Sequence, residues 1–405
     1  MDPITHGIAG VLLGKGYFAD RKGAIAIFAL TLGAVFPDVD EVAVAFSHDP
    51  LAIVKYHRGI THSFVAMPVW AALLALGTVW AAKRLKIAAP SWAALTAIYI
   101  AGIASHIVLD GMTSFGTRMW LPISNARVAW DVLFIVDLAF TAVLLLPQLA
   151  AWTYSRPHGS RGRAAWSWVV LTILDFGGWL AARAFGAPFR LWLAIAASAA
   201  IATACFLPAV RGWGFGVKRS RWCRAGVYVA VAYLLCCFVA HRSALRRVRA
   251  FAEANRLGVL RLAAIPSPPS LLNWSGEIRA SNGVYEAQLD LRDMHGGNLS
   301  DRFTFIPDSP PDPYIARAMK LPQVHLYWHF ARFPVIRSAA QANGGHAVFF
   351  YETRFRSTRS ERPEPFTYEV QFDSAGKLSA LGWKRNGMLH GEMQPVSQQP
   401  GGAPR

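Results

Sequence analysis

Cysteine is scarce in this sequence and occurs in no pattern typical of a disulfide framework or a zinc knuckle. The four cysteines, Cys205, Cys223, Cys236 and Cys237, lie in or beside apolar segments, and none forms a CxxC pair. Disulfide-stapled secreted domains and cysteine-based zinc fingers are therefore excluded. The thiols are expected to pack as small hydrophobic groups.

Acidic residues are also few: 24 Asp and Glu face 41 Lys and Arg, for a net charge of +17. Such a balance often indicates binding to nucleic acid. Here much of the excess lies in short loops between apolar runs, where basic residues report membrane topology, so no nucleic-acid partner is expected. An HExxH protease motif is absent. No basic n-region precedes His6, so no cleavable signal peptide is expected.

Long apolar runs are what the sequence does contain. Hydrophobic residues make up 54% of the chain and the mean hydropathy is +0.29. The apolar segments are 6–18, 24–37, 64–82, 91–109, 132–151, 165–182, 191–209 and 225–240. A spanning helix needs about 20 residues, so the first two segments are expected to be tilted, re-entrant or half-buried, and the later six to cross.

The pattern changes after residue 245, where the apolar runs stop. "GVYEAQLDLRD", "VHLYWHFARF", "HAVFFYETRFRS" and "PFTYEVQFD" alternate aromatic or β-branched residues with polar ones, which is typical of antiparallel strands. We therefore predict an α-helical polytopic membrane domain over 1–245, followed by a mostly β soluble C-terminal domain over 246–395. Residues 261–273 are interpreted as the connector and 396–405 as a disordered tail.

Basic loops predict the orientation in the membrane. They cover 19–23, 83–86, 154–163 and 211–224. If the first two segments both cross, all of these loops fall on one side, which the positive-inside rule makes cytoplasmic. The polar ends of the segments and the whole β domain are then extracytoplasmic. The basic stretch 241–249 runs against this arrangement, but long exported domains follow the rule less strictly.

Conspicuous polar residues converge on that outer boundary. They are His6, Asp38, Asp40, His57, Arg58, Thr61, His62, His106, Asp110, Asp131 and Asp137. Ionisable groups at the edge of a bilayer are costly and need partners or a metal. The convergence predicts a metal site.

The spacing of these residues has chemical meaning. His106 and Asp110 are four apart, so on a helix they share one face and can bind one ion. Imidazole with carboxylate suits zinc, or manganese if oxygen ligands dominate. Asp38 and Asp40 follow Pro37, which tends to end a helix. They could instead cap a helix, and His106 could simply bond Asp110 within a bundle.

His57 and His62 are five apart and would diverge on a continuous helix. Gly59 indicates a turn that lets both rings point inward, and which of them binds the metal stays open. His6, at a membrane interface, could be structural. Asp137 and Asp175 have no obvious cluster of their own, so a structural role stays open for both beside a role in the site.

At these residues the sequence resembles the YdjM-like family of bacterial inner-membrane proteins, which are regarded as membrane-bound metal-dependent hydrolases. The matching strings, in the family's order over 1–145, are "THGIAG", "PDVD", "HRGITHS", "SHIVLDGMTSFGT" and "WDVLFIVD". The family is distantly similar to zinc-dependent phospholipase C and the S1/P1-type nucleases. The resemblance implies five metal ligands: His6, Asp38, His62 or His57, His106 and Asp110. A further HisxxxAsp pair of those enzymes is missing, so we expect one or two ions.

The expected function is hydrolysis of phosphoester or lipid-linked substrates at the outer face of the bacterial inner membrane, by a metal-activated water. Asp40, Arg58 and His57 are the predicted catalytic residues, with Asp40 as base or holder of a second ion and Arg58 stabilising phosphoryl charge. Thr61 and Ser63 would orient the ligands. The alternative is a non-catalytic membrane protein with a structural or transported metal. The sequence does not specify an oligomeric state.

Overall fold

The computed structural model describes residues 1–47, 49–184, 190–292, 303–355, 366–385 and 388–390. Helices fill the N-terminal part and strands the C-terminal part, which confirms the predicted fold class. The helices of the first part are α1 Pro3–Leu13, α2 Ala19–Val35, α3 Val39–Ala45, α4 Ala52–Lys55, α5 Met67–Arg84, α6 Trp92–Gly111, α7 Leu138–Thr153, α8 Ser160–Ala184, α9 Leu191–Arg211 and α10 Arg219–Ala254.

Several of these helices are long and apolar enough to cross a membrane. Within the described residues there are five such stretches, or six if the bent pair Ala52–His62 and Met67–Arg84 counts as one span. The segment predicted over 132–151 becomes a helix only at Leu138. Asp137 ends the preceding loop there, and its Oδ1 accepts a hydrogen bond from the Phe140 amide at 3.0 Å, the usual geometry of an N-cap.

The first two apolar segments form a helical hairpin. Helix α1 continues through a π-helical turn over Gly14–Phe18, and the chain reverses at Gly23, whose φ of 72° is readily reached only without a Cβ. Helix α2 then returns along α1. A Cβ on Gly10 would lie 2.8 Å from Cα of Thr31, so the two backbones touch. This contact brings His6 near the residues that follow α2.

Helix α6 packs in parallel with α2 and is covered by α5. Leu30 of α2, Ala71 and Ala75 of α5, and Tyr99 and Ile103 of α6 are buried in one cluster. Because α2 and α6 run the same way, the basic connections that precede them lie at one end of the bundle. The residues that follow them, which include the polar cluster, lie at the other end.

Two contacts place the remaining basic loops at that same end. Gly16, beside the 19–23 turn, lies against the backbone of Arg224 near the start of α10. The ring of Tyr154, just after α7, lies 5.8 Å from the ring of Trp222. In the described part of the chain, these basic loops and the polar cluster therefore lie at opposite ends of the helix bundle.

The C-terminal part contains two antiparallel sheets, with strand orders β1-β2-β3-β4 and β5-β6-β7-β8-β9. Each strand of a sheet pairs with the next in sequence. The strands are β1 Val259–Ser267, β2 Asn273–Ala280, β3 Gly283–Asp290, β4 Thr304–Pro307, β5 Pro334–Ala340, β6 His346–Glu352, β7 Tyr368–Phe372, β8 Leu378–Arg385 and β9 Met388–His390. Helices α11 Pro313–Ala318 and α12 Pro322–Phe330 stand between the sheets in sequence.

Two local predictions were wrong. "VHLYWHFARF" contributes to helix α12 and not to a strand, because its buried residues Val324, Tyr327 and Phe330 recur every three positions. The predicted connector 261–273 is mostly strand β1, which pairs with β2 in register from Ser267 opposite Asn273. The prolines that suggested a linker lie at the strand's end, where a missing N–H costs little.

The boundary placed near residue 245 falls inside helix α10. The last turns of α10 carry Val248 and Phe251, which pack with Trp274 and Ile278 of β2 in one buried cluster. The end of the longest helix thus forms part of the first sheet's core. The tail predicted to be disordered, 396–405, lies outside the described residues.

The second sheet also packs against the membrane domain near the polar cluster. Leu51, Val54 and Phe115 of the membrane domain share one buried core with Phe330 and Trp383 of the β domain. The indole N–H of Trp383 donates to the Pro50 carbonyl. The β domain is therefore joined to the loops that lead into the site.

Candidate metal centre

Four of the predicted ligands meet in one buried cluster, hereafter the quartet: Asp38, His62, His106 and Asp110. One ligand atom from each lies within 4.8 Å of all the others, and each side chain is buried. His62 Nε2 is 3.2 Å from Asp110 Oδ2 and 3.5 Å from Asp38 Oδ1. His106 Nε2 is 3.4 Å from the same Asp38 oxygen. The structure therefore places His62, and not His57, in this group.

Local backbone structure explains how each predicted ligand is positioned. His106 and Asp110 are one turn apart on α6. Asp38 ends a 3-10 turn that begins at Phe36 and contains Pro37, which closes α2. His62 ends a second 3-10 turn, and Arg58 before it has a φ of 57°. A positive φ is strained for a residue with a Cβ and is often found at functional sites.

Hydrogen bonds orient both imidazoles. Nδ1 of His106 lies 2.6 Å from the carbonyl oxygen of Ala34, and a carbonyl only accepts. A proton therefore sits on Nδ1, which in the neutral ring leaves Nε2, the nitrogen on the quartet side, free to bind a metal. Nδ1 of His62 lies 3.2 Å from Asp40 Oδ2. A carboxylate behind an imidazole is the usual outer support of a metal-binding histidine.

The atoms that face the centre of the quartet fit a cation. The two Nε2 atoms of His62 and His106 are only 3.1 Å apart. Asp38 Oδ2 and Asp110 Oδ2 are buried, and neither has a hydrogen-bond partner among the described residues. Buried polar atoms without partners are costly. Two imidazole nitrogens with two carboxylates are a donor set that divalent metals accept.

His6 lies beside the quartet and not within it. Its ring stacks on the ring of His106, with centroids 3.7 Å apart. Its Nε2 is 3.2 Å from Asp110 Oδ1, an oxygen that the amino group of Met1 also contacts. His6 thus contacts two of the four residues, and its role as a fifth ligand stays a prediction.

Asp40 is saturated with hydrogen bonds. Its Oδ1 lies 3.0 Å from His57 Nδ1. Its Oδ2 accepts from the Arg58 amide at 2.9 Å and from the Thr61 hydroxyl at 3.0 Å, in addition to facing His62. The carboxylate therefore holds the 57–62 loop together. Both oxygens are engaged in these contacts, and the role of Asp40 as a base or as the holder of a second ion stays a prediction.

Arg58 is buried against the end of α6. Its Nε lies 2.9 Å from Asp110 Oδ2, in a charge contact that is not aligned as a hydrogen bond. Its Nη1 donates to the Thr113 hydroxyl at 2.7 Å. The guanidinium also lies over the ring of Phe115, 5.1 Å from the centroid. Arg58 thus neutralises part of the negative charge of the quartet.

More positive charge surrounds Phe115 than the motifs alone indicate. Arg127 lies over the same ring, 5.9 Å from its centroid, and donates to backbone carbonyls of Val54 and Gly116. Burial, followed by the neighbouring charge of Arg118, lowers the pKa of Arg127 to about 9. Sequence reasoning missed this group because a single arginine in a loop carries no local signal.

Two carboxylates of the predicted cluster have partners outside the quartet. Asp131 pairs with Arg332 of the β domain. Asp137 caps α7 and also accepts from the hydroxyl of Tyr233 at 3.1 Å. Ser63, predicted to orient ligands, instead donates to the Leu121 carbonyl. These contacts support the loops around the quartet without joining it.

A serine, a histidine and an aspartate also meet in the β domain. Ser338 Oγ lies 2.7 Å from His346 Nε2 and donates to Asp312 Oδ2. In a hydrolase triad the carboxylate binds the imidazole nitrogen remote from the serine. Here it binds the serine itself and caps α11 through the amides of Tyr314 and Ile315. The group is therefore structural.

Comparison with known proteins gives a match for the N-terminal part alone. No curated protein and no solved structure matches the chain. A family model described as YdjM inner membrane protein matches residues 1–185, a stretch that includes the whole quartet, and this confirms the resemblance seen in the motifs. With its several candidate spans, the chain is a multi-pass inner-membrane protein whose residues 1–185 match the model of the YdjM inner membrane protein family.

Proposed function

We propose that this protein is a metal-dependent hydrolase of the inner membrane that acts on phosphoester or lipid-linked substrates. The observation that supports this most is the quartet, in which two imidazoles and two carboxylates converge within 4.8 Å. Two buried carboxylate oxygens of the quartet, Asp38 Oδ2 and Asp110 Oδ2, have no aligned hydrogen bond among the described residues. A protein that needed only packing there would not bury four ionisable groups at the edge of a bilayer.

Asp38, His62, His106 and Asp110 would hold one divalent ion, most simply zinc. Such an ion supplies Lewis-acid chemistry, which activates water and polarises a phosphoryl oxygen. Asp40 keeps the proton of His62 on Nδ1, so that Nε2 stays available. Arg58 offsets the charge of Asp110 and limits the repulsion between the two carboxylates.

His57 is our candidate for proton transfer. Its Nδ1 is engaged by Asp40, and its ring lies 6.0 Å from the ring of His62. Its Nε2 faces Glu41, whose Oε1 is 3.8 Å away and whose side chain is half exposed. The imidazole therefore connects the buried quartet with the outside, as a general acid or base requires.

Positive charge and apolar surface support the substrate class. Arg127 donates to backbone carbonyls and lies over the rings of Phe115 and Phe330, and its charge favours an anion near the site. Next to Asp40, α3 and the residue after it expose Val39 by 48%, Val42 by 55% and Phe46 by 82%. An apolar rim beside a polar site fits a substrate that stays partly in the membrane.

A non-catalytic metal protein is the rival function, and one observation favours it. His62, His106 and Asp110 are fully buried, and four protein ligands are typical of a structural site. Transport fits less well, because the quartet lies at helix ends rather than midway along the spans. Hydrolysis requires that water can reach the metal. Asp38 is the most exposed of the four side chains, at 8%.

The proposed orientation follows from the basic loops. They lie at the end of the bundle opposite the quartet, so the positive-inside rule would put the quartet and the β domain outside the cytoplasm.

Metal content of the detergent-purified protein tests the proposal. We expect one zinc or manganese ion per chain, lost in His106→Ala and in Asp110→Ala. His325→Ala, which removes an exposed histidine of the β domain, is the matched control and should retain the metal. Phosphodiester and phospholipid hydrolysis should then disappear with the metal. If the wild-type protein stays metal-free after soaking with metal, the hydrolase proposal is overturned. If the protein binds metal but hydrolyses no anionic ester, a structural role of the metal is favoured.

A further inference from the structure

An ion pair joins the β domain to the loop beside the quartet. Arg332, just after α12, binds Asp131 with both ends of its guanidinium. Nη1 lies 2.7 Å from Oδ1 and Nη2 lies 2.7 Å from Oδ2. The pair links residues 201 positions apart, and Asp131 is buried. A bidentate pair fixes direction as well as distance.

The residues around Asp131 close the C-terminal end of α6. The amide of Trp130 donates to the Gly111 carbonyl at 2.8 Å, and those of Val132 and Leu133 donate to the Met112 carbonyl at 2.8 and 2.9 Å. Carbonyls at a helix C-terminus otherwise lack partners. Asp131 itself has a φ of 55°, a strained conformation that persists only when its surroundings hold it.

A second arginine of the β domain holds the same segment from another direction. Nη1 of Arg354 donates to the Ser114 carbonyl at 2.6 Å, and its Nε donates to Glu352 at 2.9 Å. Glu352 also accepts from the backbone amide of Arg332 at 2.5 Å. One buried carboxylate thus connects the two arginines. Asp110, in the last turn of α6, lies four residues before Ser114 and directly before Gly111 and Met112, whose carbonyls accept from the neighbours of Asp131.

We propose that the β domain is a positioning element for the metal centre. The Arg332–Asp131 pair holds the loop that caps α6, and so holds Asp110 in the position that metal binding needs. This inference rests on the proposed function, since it presumes that the quartet binds metal. Arg332 acts through Asp131 and contacts none of the quartet in the part of the chain that the structure describes, so it is a positioning residue and not a catalytic one.

Two measurements on the full chain in detergent test the proposal: zinc affinity by competition with a chelator, and amide hydrogen exchange of residues 105–114 without metal. In Arg332→Gln and in Asp131→Asn we expect zinc binding to weaken by about tenfold or more, as for other outer-shell partners. Exchange at 105–114 should become faster. Arg332→Lys keeps the charge but cannot make the bidentate contact, so its zinc affinity and exchange rate should lie between those of Arg332→Gln and the wild type.

Arg279→Gln is the matched control. It breaks an equally short and largely buried pair, Arg279 with Asp308 at 2.7 Å, inside the β domain. That variant should lose thermal stability while zinc affinity and exchange at 105–114 stay at the wild-type level. A merely structural role of Arg332 would make the two variants behave alike.

The outcomes separate this inference from the proposed function. If Arg332→Gln folds and keeps wild-type affinity and exchange, the inference is overturned although the metal centre stands. If Arg332→Gln does not fold, wild-type values in Arg332→Lys overturn it. If the wild type binds no zinc, the proposed function fails, and unchanged exchange at 105–114 in Arg332→Gln would show that the coupling is absent as well.

Discussion

Nδ1 of His106 donates a hydrogen bond to the carbonyl oxygen of Ala34, 2.6 Å away, across the contact between α6 and α2. Ala34 lies in the last turn of α2, where carbonyls have no partner within the helix. One bond therefore satisfies a helix end and sets the tautomer of a ligand. It also ties α6 to the residues that lead into Asp38, so the two halves of the quartet are positioned by the same packing.

The support that Asp40 gives to His62 leads to a test by metal affinity. Asp40→Asn keeps the size of the side chain but removes the charge facing His62 Nδ1, and we expect zinc affinity to fall by about 10- to 100-fold. Glu41→Gln changes the next carboxylate, which is half exposed, and should leave affinity unchanged. The zinc affinities of both variants can be measured by competition with a chelator. Equal affinities in Asp40→Asn and Glu41→Gln would show that Asp40 does not support the metal centre.

Close packing of α2 on α6 predicts a large effect from one methyl group. A Cβ on Gly102 would lie 2.6 Å from the Leu30 carbonyl and 3.0 Å from the Ala34 amide. Gly102→Ala should therefore destabilise the fold by about 1–3 kcal/mol. Gly77→Ala, on α5, meets nothing within 4 Å and should be neutral or stabilising by up to about 1 kcal/mol. Thermal unfolding in detergent is the measurement, and the same loss in both variants would contradict the helix contact.

Burial of Glu277 predicts a pH dependence of the β domain. This side chain is fully buried in β2 and accepts hydroxyl hydrogen bonds from Ser275 and Thr353. Burial, followed by the charge of Glu286, raises its pKa well above the ordinary value of 4.5. The folded state thus binds the proton more tightly than the unfolded state. Its contribution to stability is complete below the unfolded pKa and is lost as pH rises towards the folded pKa.

Glu277→Gln should remove that dependence. The amide stays neutral, so the melting temperature should fall less between about pH 5 and 8 than in the wild type. Glu253→Gln, at an exposed position near the end of α10, should keep the wild-type dependence of the melting temperature on pH. A wild-type slope in Glu277→Gln would show that this carboxyl is not the group that titrates.

The proposed orientation can be read from single cysteines in a background without Cys205, Cys223, Cys236 and Cys237. Lys22→Cys lies in an exposed basic loop, and Lys320→Cys lies in an exposed turn of the β domain. A membrane-impermeant maleimide added to intact spheroplasts should label Lys320→Cys and should reach Lys22→Cys only after the membrane is permeabilised. The opposite labelling pattern would reverse the proposed topology.

Local patterns were enough to determine much of this protein. The lengths of the apolar runs predicted the helices, and alternation predicted β3, β6 and β7, because both depend on residues close in sequence. The helical period alone placed His106 and Asp110 on one face. The same local reasoning failed for α12, where a short apolar run fitted both periods and tertiary packing of Val324, Tyr327 and Phe330 decided for the helix.

Only the tertiary structure decided which groups share the centre. The choice of His62 over His57 depends on the positive φ of Arg58 and on the carboxylate of Asp40, which comes from a different helix. The attachment of the β domain depends on Arg332 meeting Asp131 across 201 positions. Such contacts leave no periodic trace in the sequence, because their partners are brought together by the packing of whole helices and sheets and not by the order of neighbouring residues.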